Sequence, residues 1–188
     1  MDYIDDRQFS GDDFTITGIE KANYENCRFI NCNFSEVNLS GINFMECHFD
    51  GCNLGMAKLG NTGFRDVQFK GCKLLGLHFE HCNGMGLSMQ FDNCILNLAS
   101  FYQVKLKGVI FKDCLLHETD CTAADIPHAV FENCDLKGTV FDNTNLEHAD
   151  LRTAYNYSID PASNKIKKAK FAKEGLAGLL VRYDIVIE

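Results

Sequence analysis

The chain has 188 residues, and its 26 Asp and Glu outnumber its 18 Lys and Arg, which gives a formal net charge of −8. This acid excess argues against direct nucleic-acid binding, because proteins hold the phosphate backbone through cationic side chains. No run of about 18 apolar residues could cross a membrane, and the N-terminus is acidic where a signal peptide would be basic. We therefore expect a soluble, cytoplasmic protein that binds neither nucleic acid nor membrane.

A five-residue repeat runs along most of the chain. A large apolar residue stands at every fifth position from Phe9 to Phe79 and again from Phe91 to Leu151, and 14 of the 15 Phe occupy this position. The residue two places earlier is usually Ala, Cys, Thr or Val, and nine of the ten Cys stand there. The surplus of Phe and Cys in the composition is therefore a property of the repeat.

The period of five predicts short straight segments separated by corners. It matches neither the 3.6 of a helix nor the 2 of a long strand. Residues two apart on an extended segment point to the same side, so the small and the large residue both face inward. Two places after the large residue, Gly, Asn or Asp is frequent, and these residues accept the positive φ of a tight corner.

A second, longer repeat gives the number of corners in each coil. Phe-x-x-Cys recurs at spacing 20 from Phe29 and again from Phe91, while the step from Phe69 to Phe91 is 22. Four pentapeptides per coil predict a square, all-β parallel solenoid of about seven coils in residues 1–152. The two extra residues lie within 80–90, where we expect a bulge.

This pattern resembles that of the pentapeptide-repeat proteins, and the tail resembles the C-terminal cap of the Qnr and MfpA type. The resemblance implies a right-handed quadrilateral β-helix whose cap, here residues 153–188, joins two copies end to end. In the tail, Ala172, Leu176, Leu179, Leu180 and Tyr183 have the spacing of one apolar stripe on an α-helix. We expect a short α-helix that covers the last coil or forms a homodimer, with Phe171, Leu176, Leu179, Leu180 and Tyr183 as contact residues.

Chemistry-bearing residues do not form a recognisable catalytic motif. The cysteines recur every five or twenty residues instead of in zinc-ligand spacing, so we interpret them as small core residues. His128 and His148 share one corner a coil apart, which predicts a solvated corner or at most a weak metal contact. We expect no catalytic residue, no cofactor and no enzymatic activity.

Charge is unevenly distributed along the repeat. Residues 1–60 and 122–151 are strongly acidic, whereas residues 152–188 carry a basic excess. An elongated anionic rod resembles a DNA duplex in shape and potential and would attract a basic groove. In the second acidic stretch six side chains point outward, and we predict them as a partner-binding acidic collar: Asp125, Glu132, Asp135, Asp142, Glu147 and Asp150. Surface charge needed only for solubility would give the same composition.

An apolar seam is the second candidate surface. Ile95 and Leu115 occupy equivalent outward positions one coil apart, and so do Ile110 and Val130 on a neighbouring face. Exposed apolar residues in contact often mark a binding surface, although packing between coils would use the same residues.

Two functions follow from these surfaces. The family resemblance implies a homodimeric DNA mimic that binds a type II topoisomerase, DNA gyrase or topoisomerase IV, modulates it and can protect it from quinolones. The alternative is a structural or protein-interaction scaffold without topoisomerase affinity, which would use the apolar seam.

Overall fold

Short strands separated by corners make up most of the structure. The computed structural model describes residues 2–187, and no helix in this range is long and apolar enough to span a membrane. The strands are β1 Asp2–Asp5, β2 Gln8–Ser10, β3 Ala22–Glu25, β4 Arg28–Ile30, β5 Asn43–Met45, β6 His48–Asp50, β7 Gly63–Arg65, β8 Val67–Lys70, β9 Met89–Asp92, β10 Ile110–Lys112, β11 Val130–Glu132, β12 Asp150–Leu151 and β13 Lys170–Phe171.

The strands pair in parallel, one turn apart. β1, β3, β5 and β7 form one sheet, and the other nine strands form a second sheet, from β2 at one end to β13 at the other. Phe29 is in register with Phe49, a step of 20 residues, while Phe69 is in register with Phe91, a step of 22. Nine strands, one per turn, correspond to an all-β parallel solenoid of about eight turns.

Four ladders of pairing follow one another along each turn, and we name them as faces. The first face is the four-stranded sheet, continued after the insertion by Lys105, Asp125, Asn145 and Lys165. The second face is the nine-stranded sheet. Isolated parallel bridges form the third face, from Asp13 to Tyr155, and the fourth face, which includes His78, Ser100, Asp120 and Val140.

Aromatic stacks fill the interior. Phe91 lies 5.4 Å from Phe69 and 5.1 Å from Phe111 between ring centroids, with the rings almost parallel. These rings are at most 2% exposed. The large position of the repeat therefore builds a column that is continuous from turn to turn, which is the packing that the spacing of 20 predicts.

The small position combines packing with a hydrogen bond. The Thr119 hydroxyl donates to the Leu96 carbonyl (3.0 Å), and the Cys72 thiol donates in the same way to the Phe49 carbonyl (3.3 Å). Burial raises the pKa of Cys32 to about 11 and that of Cys47 to about 12. Nine of the cysteines are buried, and Cys82 is half-buried. Cys32 and Cys47 are therefore core residues whose thiols are kept in the neutral form.

The first turn departs from the repeat. Arg7 and Asp12 stand at small, inward positions but are exposed. The Arg7 guanidinium carbon lies 5.4 Å from the centroid of the Phe9 ring, so this side chain covers the open end of the aromatic column. A single helical turn, α1 (Phe14–Thr17), follows, and Asp13 caps it by accepting from the Thr15 amide at 3.0 Å.

The solenoid also extends past residue 152, where the sequence pattern places its boundary. Tyr155 bridges to Asp135, and β13 pairs with β12. Ile166 and Phe171 stand in phase with the five-residue period and pack against the core, so the last turn forms although the pattern is broken after Leu151.

The prediction of a C-terminal α-helix is wrong. The tail forms two 3-10 helices, Lys173–Leu179 and Val181–Tyr183. Gly175 and Gly178 lower the α-helical propensity of this segment, and both pack against Tyr157: a Cβ on Gly178 would lie 2.4 Å from the Tyr157 carbonyl oxygen. The Ile159 amide donates to the Gly178 carbonyl at 2.9 Å, which fixes the tail on the last turn.

The two inserted residues form a bulge on the first face. The Asn83 amide donates to the Thr62 carbonyl and the Ser88 amide to the Phe64 carbonyl. Gly84, Met85 and Gly86 between them are exposed. The ladder of the first face is interrupted here and resumes at Lys105.

Candidate partner-binding surfaces

The six residues of the acidic collar lie on all four faces. Asp125 and Glu147 are on the first face, Asp135 is on the third and Asp142 is on the fourth. Glu132 and Asp150 lie on the second face, in consecutive turns. The structure therefore places the six carboxylates around the rod and does not collect them on one surface.

All of these carboxylates except Glu147 have a hydrogen-bond or ionic partner within the described chain, and Asp150 and Asp135 are the most closely engaged. Arg152 binds Asp150 with both ends of its guanidinium, at 2.9 Å and 2.7 Å, and this hydrogen bonding lowers the pKa of Asp150. Asp135 accepts from the Asn156 amide at 2.8 Å. Its other oxygen lies 2.9 Å from Nε2 of His117, although that contact misses hydrogen-bond geometry. Neither side chain is a free surface anion.

The second face is close to neutral. Its outward charged residues are five cations and four anions: Arg28, Lys70, Lys112, Arg152 and Lys170, and Asp50, Asp92, Glu132 and Asp150. The negative charge of the molecule consequently resides on the other faces and on the corners.

An acidic edge that the sequence reasoning did not single out runs along the N-terminal half of the rod. At the corner between the first and second faces, the amide of Asp6 donates to the carbonyl of Glu25, and that of Glu46 donates to the carbonyl of Arg65. Asp66 occupies the same corner one turn later. We call the following residues the N-terminal acidic edge: Asp5, Asp6, Glu25, Glu46 and Asp66.

The spacing of 20 could have revealed this edge. Asp6, Glu46 and Asp66 stand at one corner position of the repeat, and each has a positive φ. In the part of the chain that the structure describes, none of the five carboxylates of the edge has a cation within 4.0 Å. They form a line of negative charge that is interrupted at Asn26, with Arg65 beside its last member.

The apolar seam consists of two pairs on adjacent faces. Ile95 bridges to Leu115 on the third face, and Ile110 is in register with Val130 on the second face. Leu115 is 36% exposed, and the other three are half-buried. The pairing of equivalent positions that the sequence predicts is present, with a corner between the two pairs.

The tail leaves a large apolar surface uncovered. Among the predicted contact residues, Phe171 and Leu179 are partly buried against the core, whereas Leu176, Leu180 and Tyr183 are exposed. Further exposed apolar residues follow them, namely Val181, Ile185, Val186 and Ile187. Two of the predicted contact residues thus attach the tail to the rod, and the other three are exposed at its end.

A groove of about 630 Å³ lies beside the insertion. Its walls include Glu80, Cys82, Tyr102 and Lys105. Burial, with a smaller effect of the Glu80 charge, raises the pKa of the Cys82 thiol, which makes it a poor nucleophile.

The two corner histidines are in contact. His128 and His148 stack with ring centroids 4.7 Å apart. Within residues 2–187, no three His, Cys, Asp or Glu side chains are grouped so as to hold a metal ion.

A parallel solenoid with four ladders and a five-residue unit defines a pentapeptide-repeat protein. The family model described as the pentapeptide repeat region matches residues 22–88 and 87–156, and the chain belongs to this family. No curated protein sequence matches the chain.

Solved structures share the fold. The chain is similar to trypsin-treated QnrB1, a plasmid-mediated fluoroquinolone resistance protein, with 22% identity, 99% of this chain and 100% of that chain covered, and a TM-score of 0.51. It is also similar to HetL, a pentapeptide-repeat protein involved in heterocyst differentiation regulation from the cyanobacterium Nostoc sp., with 15% identity, coverage of 93% and 90%, and a TM-score of 0.44. The similarity to QnrB1 concerns the fold alone.

Proposed function

We propose that the protein is a non-enzymatic DNA mimic that binds the DNA-binding groove of a type II topoisomerase, DNA gyrase or topoisomerase IV, and modulates the enzyme. The observation that carries this proposal is the N-terminal acidic edge. It presents a line of carboxylates that have no cation within 4.0 Å in the described chain, and a basic groove is complementary to such a line.

The dimensions and charge of the rod support this function. Eight turns at about 4.8 Å give a length of about 38 Å. A net charge of −8 over this length is about one charge per 5 Å, compared with one per about 1.7 Å in duplex DNA. The rod is therefore a weaker polyanion than DNA, and we expect its binding to be strongest at low salt.

The exposed tail supports a homodimer. Leu176, Leu180 and Tyr183 lie at the end of the rod, and burying such side chains in a second copy would remove them from water. A tail-to-tail dimer would double the length of the anionic rod. We expect a chain shortened after Phe171 to sediment as a monomer at high salt, where the full chain remains a dimer.

A supercoiling assay with purified DNA gyrase, with and without ciprofloxacin, tests the proposed function. We expect the protein to change the supercoiling rate or to restore it in the presence of the drug. The variant Asp6→Asn/Glu46→Gln/Asp66→Asn should lose most of this effect. A matched control, Asp50→Asn/Asp92→Asn/Glu132→Gln, removes the same charge from the near-neutral second face and should keep it.

The apolar seam favours a second candidate function, a scaffold that holds another protein through Ile95 and Leu115. This role needs no anionic edge. A protein that leaves supercoiling unchanged and does not retain gyrase in a pull-down at low salt would contradict the topoisomerase proposal and favour the scaffold.

A further inference from the structure

The outward side chains that follow the large residue on the second face alternate in sign along the rod. They are in register from strand to strand and therefore stand one turn apart, at about 4.8 Å. We call this series the alternating ladder: Asp50, Lys70, Asp92, Lys112, Glu132 and Arg152.

Few of these charges are neutralised by their neighbours in the same chain. Among ladder neighbours of the described residues, only Lys112 and Glu132 approach to within 4.0 Å. Arg152 turns to Asp150 of its own turn instead of to Glu132. Most of the ladder charges are exposed and are available to groups outside the molecule.

A second copy supplies the complementary series. Consider a copy that faces the second face and is related to it by a twofold axis parallel to the strands, passing between β9 and β10. Its rod runs antiparallel, and each outward column lies over the same column of the partner in reverse order. Asp92 then faces Lys112, Lys70 faces Glu132, and Asp50 faces Arg152. By symmetry each of these pairs occurs twice.

The alternation also selects this register. If the axis is moved by half a turn so that it passes through β9, Asp92 faces Asp92 and Lys70 faces Lys112. A parallel arrangement of the two rods lays each outward column over the other column, so that Lys70 faces Gln68 and Lys112 faces Ile110, and most ladder charges have no partner of opposite sign. Like charges directly opposite each other disfavour an arrangement, so the antiparallel register between β9 and β10 is the one in which all six charges are matched.

The same twofold rotation also covers Ile110 and Val130, the pair of the apolar seam that lies on the second face. The side chains that precede the large residue form the other outward column of this face. In this column, Ile110 faces Gln90 and Val130 faces Gln68. A shallow groove of about 200 Å³ lies over β8, β9 and β10, beside the twofold axis. The apolar pair is thus placed near the centre of the contact and the ladder along one side of it.

The remaining charges of this column are largely compatible. His48 faces Asp150, while Arg28 and Lys170 face each other at the two ends of the contact. The corner residues at the rim are also complementary, since Asp66 stands opposite His128. The like-charged pair of Arg28 and Lys170 occurs twice, at the periphery where water screens it, and is a small opposing contribution.

We propose that the second face is a self-association surface on which two copies of this chain dock antiparallel through the alternating ladder. Six turns by one short strand give a footprint of only a few hundred Å² per copy, well below the roughly 800 Å² of a stable interface. The contact is therefore weak and sensitive to salt. It is independent of the tail and of any topoisomerase.

Sedimentation equilibrium of the full chain tests the charge matching. We expect association beyond the tail-to-tail dimer at about 25 mM NaCl, and this further association should weaken strongly at about 500 mM because salt screens the pairs. Asp92→Lys and Lys112→Asp should each weaken the low-salt association constant by about tenfold, because each reversal places like charges together. Mixing the two variants in equal amounts should restore it, since the lysine introduced at position 92 of one chain then faces the aspartate introduced at position 112 of the other. Matched reversals on the fourth face, Asp142→Lys and Lys58→Asp, should change it little.

A zero-length carbodiimide cross-link identifies the register. Within one chain Lys70 and Glu132 are three turns apart, about 14 Å, which is too far for a direct amide bond. An amide between these two residues, found by mass spectrometry in the dimer band, is the expected result. Absence of this cross-link, or equal effects of the second-face and fourth-face reversals, would overturn the proposal; tail dimerisation produces neither signature.

Discussion

Phe91 shows how much of the stability depends on one position of the repeat. Its ring lies between Phe69 and Phe111 and makes edge contacts with Phe79 and Phe101. Each buried ring contributes both removal of apolar area from water and contact with its neighbours in the column.

We expect Phe91→Ala to destabilise the protein by about 3–5 kcal/mol, because the neighbouring rings cannot close the cavity. Urea unfolding followed by circular dichroism measures this change. Tyr102→Ala, at an exposed position, is the control and should stay within about 0.5 kcal/mol of wild type. Equal losses in the two variants would contradict the aromatic column as the source of stability.

Asp150 makes stability depend on pH. Its pKa is lowered, chiefly by the hydrogen bonds from Arg152, so its contribution is complete above the ordinary carboxyl pKa of about 3.9 and disappears as the pH falls through the lower folded value. Asp150→Asn should therefore be less stable than wild type at pH 7, and the difference should shrink below about pH 4. A difference in unfolding free energy that is constant from neutral to acid pH would rule this out.

At the scale of the elements, the tail is held by close contact with the last turn. Gly178 allows the segment to approach Tyr157, and its carbonyl accepts from the Ile159 amide. Because a Cβ at this position has no room, Gly178→Ala should detach the tail while the solenoid stays folded.

Hydrogen exchange measures this detachment. We expect the Ile159 amide to exchange at least about tenfold faster in Gly178→Ala, since it loses its acceptor. Gly84→Ala is the matched control, because its Cβ would meet no atom within 4 Å. Unchanged protection of Ile159 in the Gly178 variant would show that the tail is held by other contacts.

The sequence predicts elements unequally well. The period of five residues predicts which residues face inward, and the longer repeat of 20 residues predicts the length of a turn. The register of Phe29 with Phe49 confirms both predictions. The tail departs from the repeat, and the prediction of an α-helix there rests on apolar spacing and on the resemblance to a Qnr-type cap. The close packing of Gly175 and Gly178 on Tyr157 decides its conformation, and a spacing pattern carries no information about that contact.

At the scale of the whole molecule, the distribution of charge depends on three-dimensional placement. Counting acids along the chain singled out residues 122–151, but Asp135 and Asp150 have partners within the chain and the six collar residues surround the rod. The N-terminal acidic edge follows from the corner position that Asp6, Glu46 and Asp66 share. Assigning charges to repeat positions before counting them would have distinguished this edge from the near-neutral second face.

Competition with DNA is the direct test of the proposed mimicry. A fluorescent duplex is bound to purified DNA gyrase or topoisomerase IV, and its anisotropy is followed as the protein is added at several salt concentrations. We expect release of the duplex at low salt, with the concentration for half-release rising steeply as NaCl increases, because both ligands occupy the same basic groove. Retention of the duplex by both enzymes at the lowest salt, with the protein in large excess, would contradict the account.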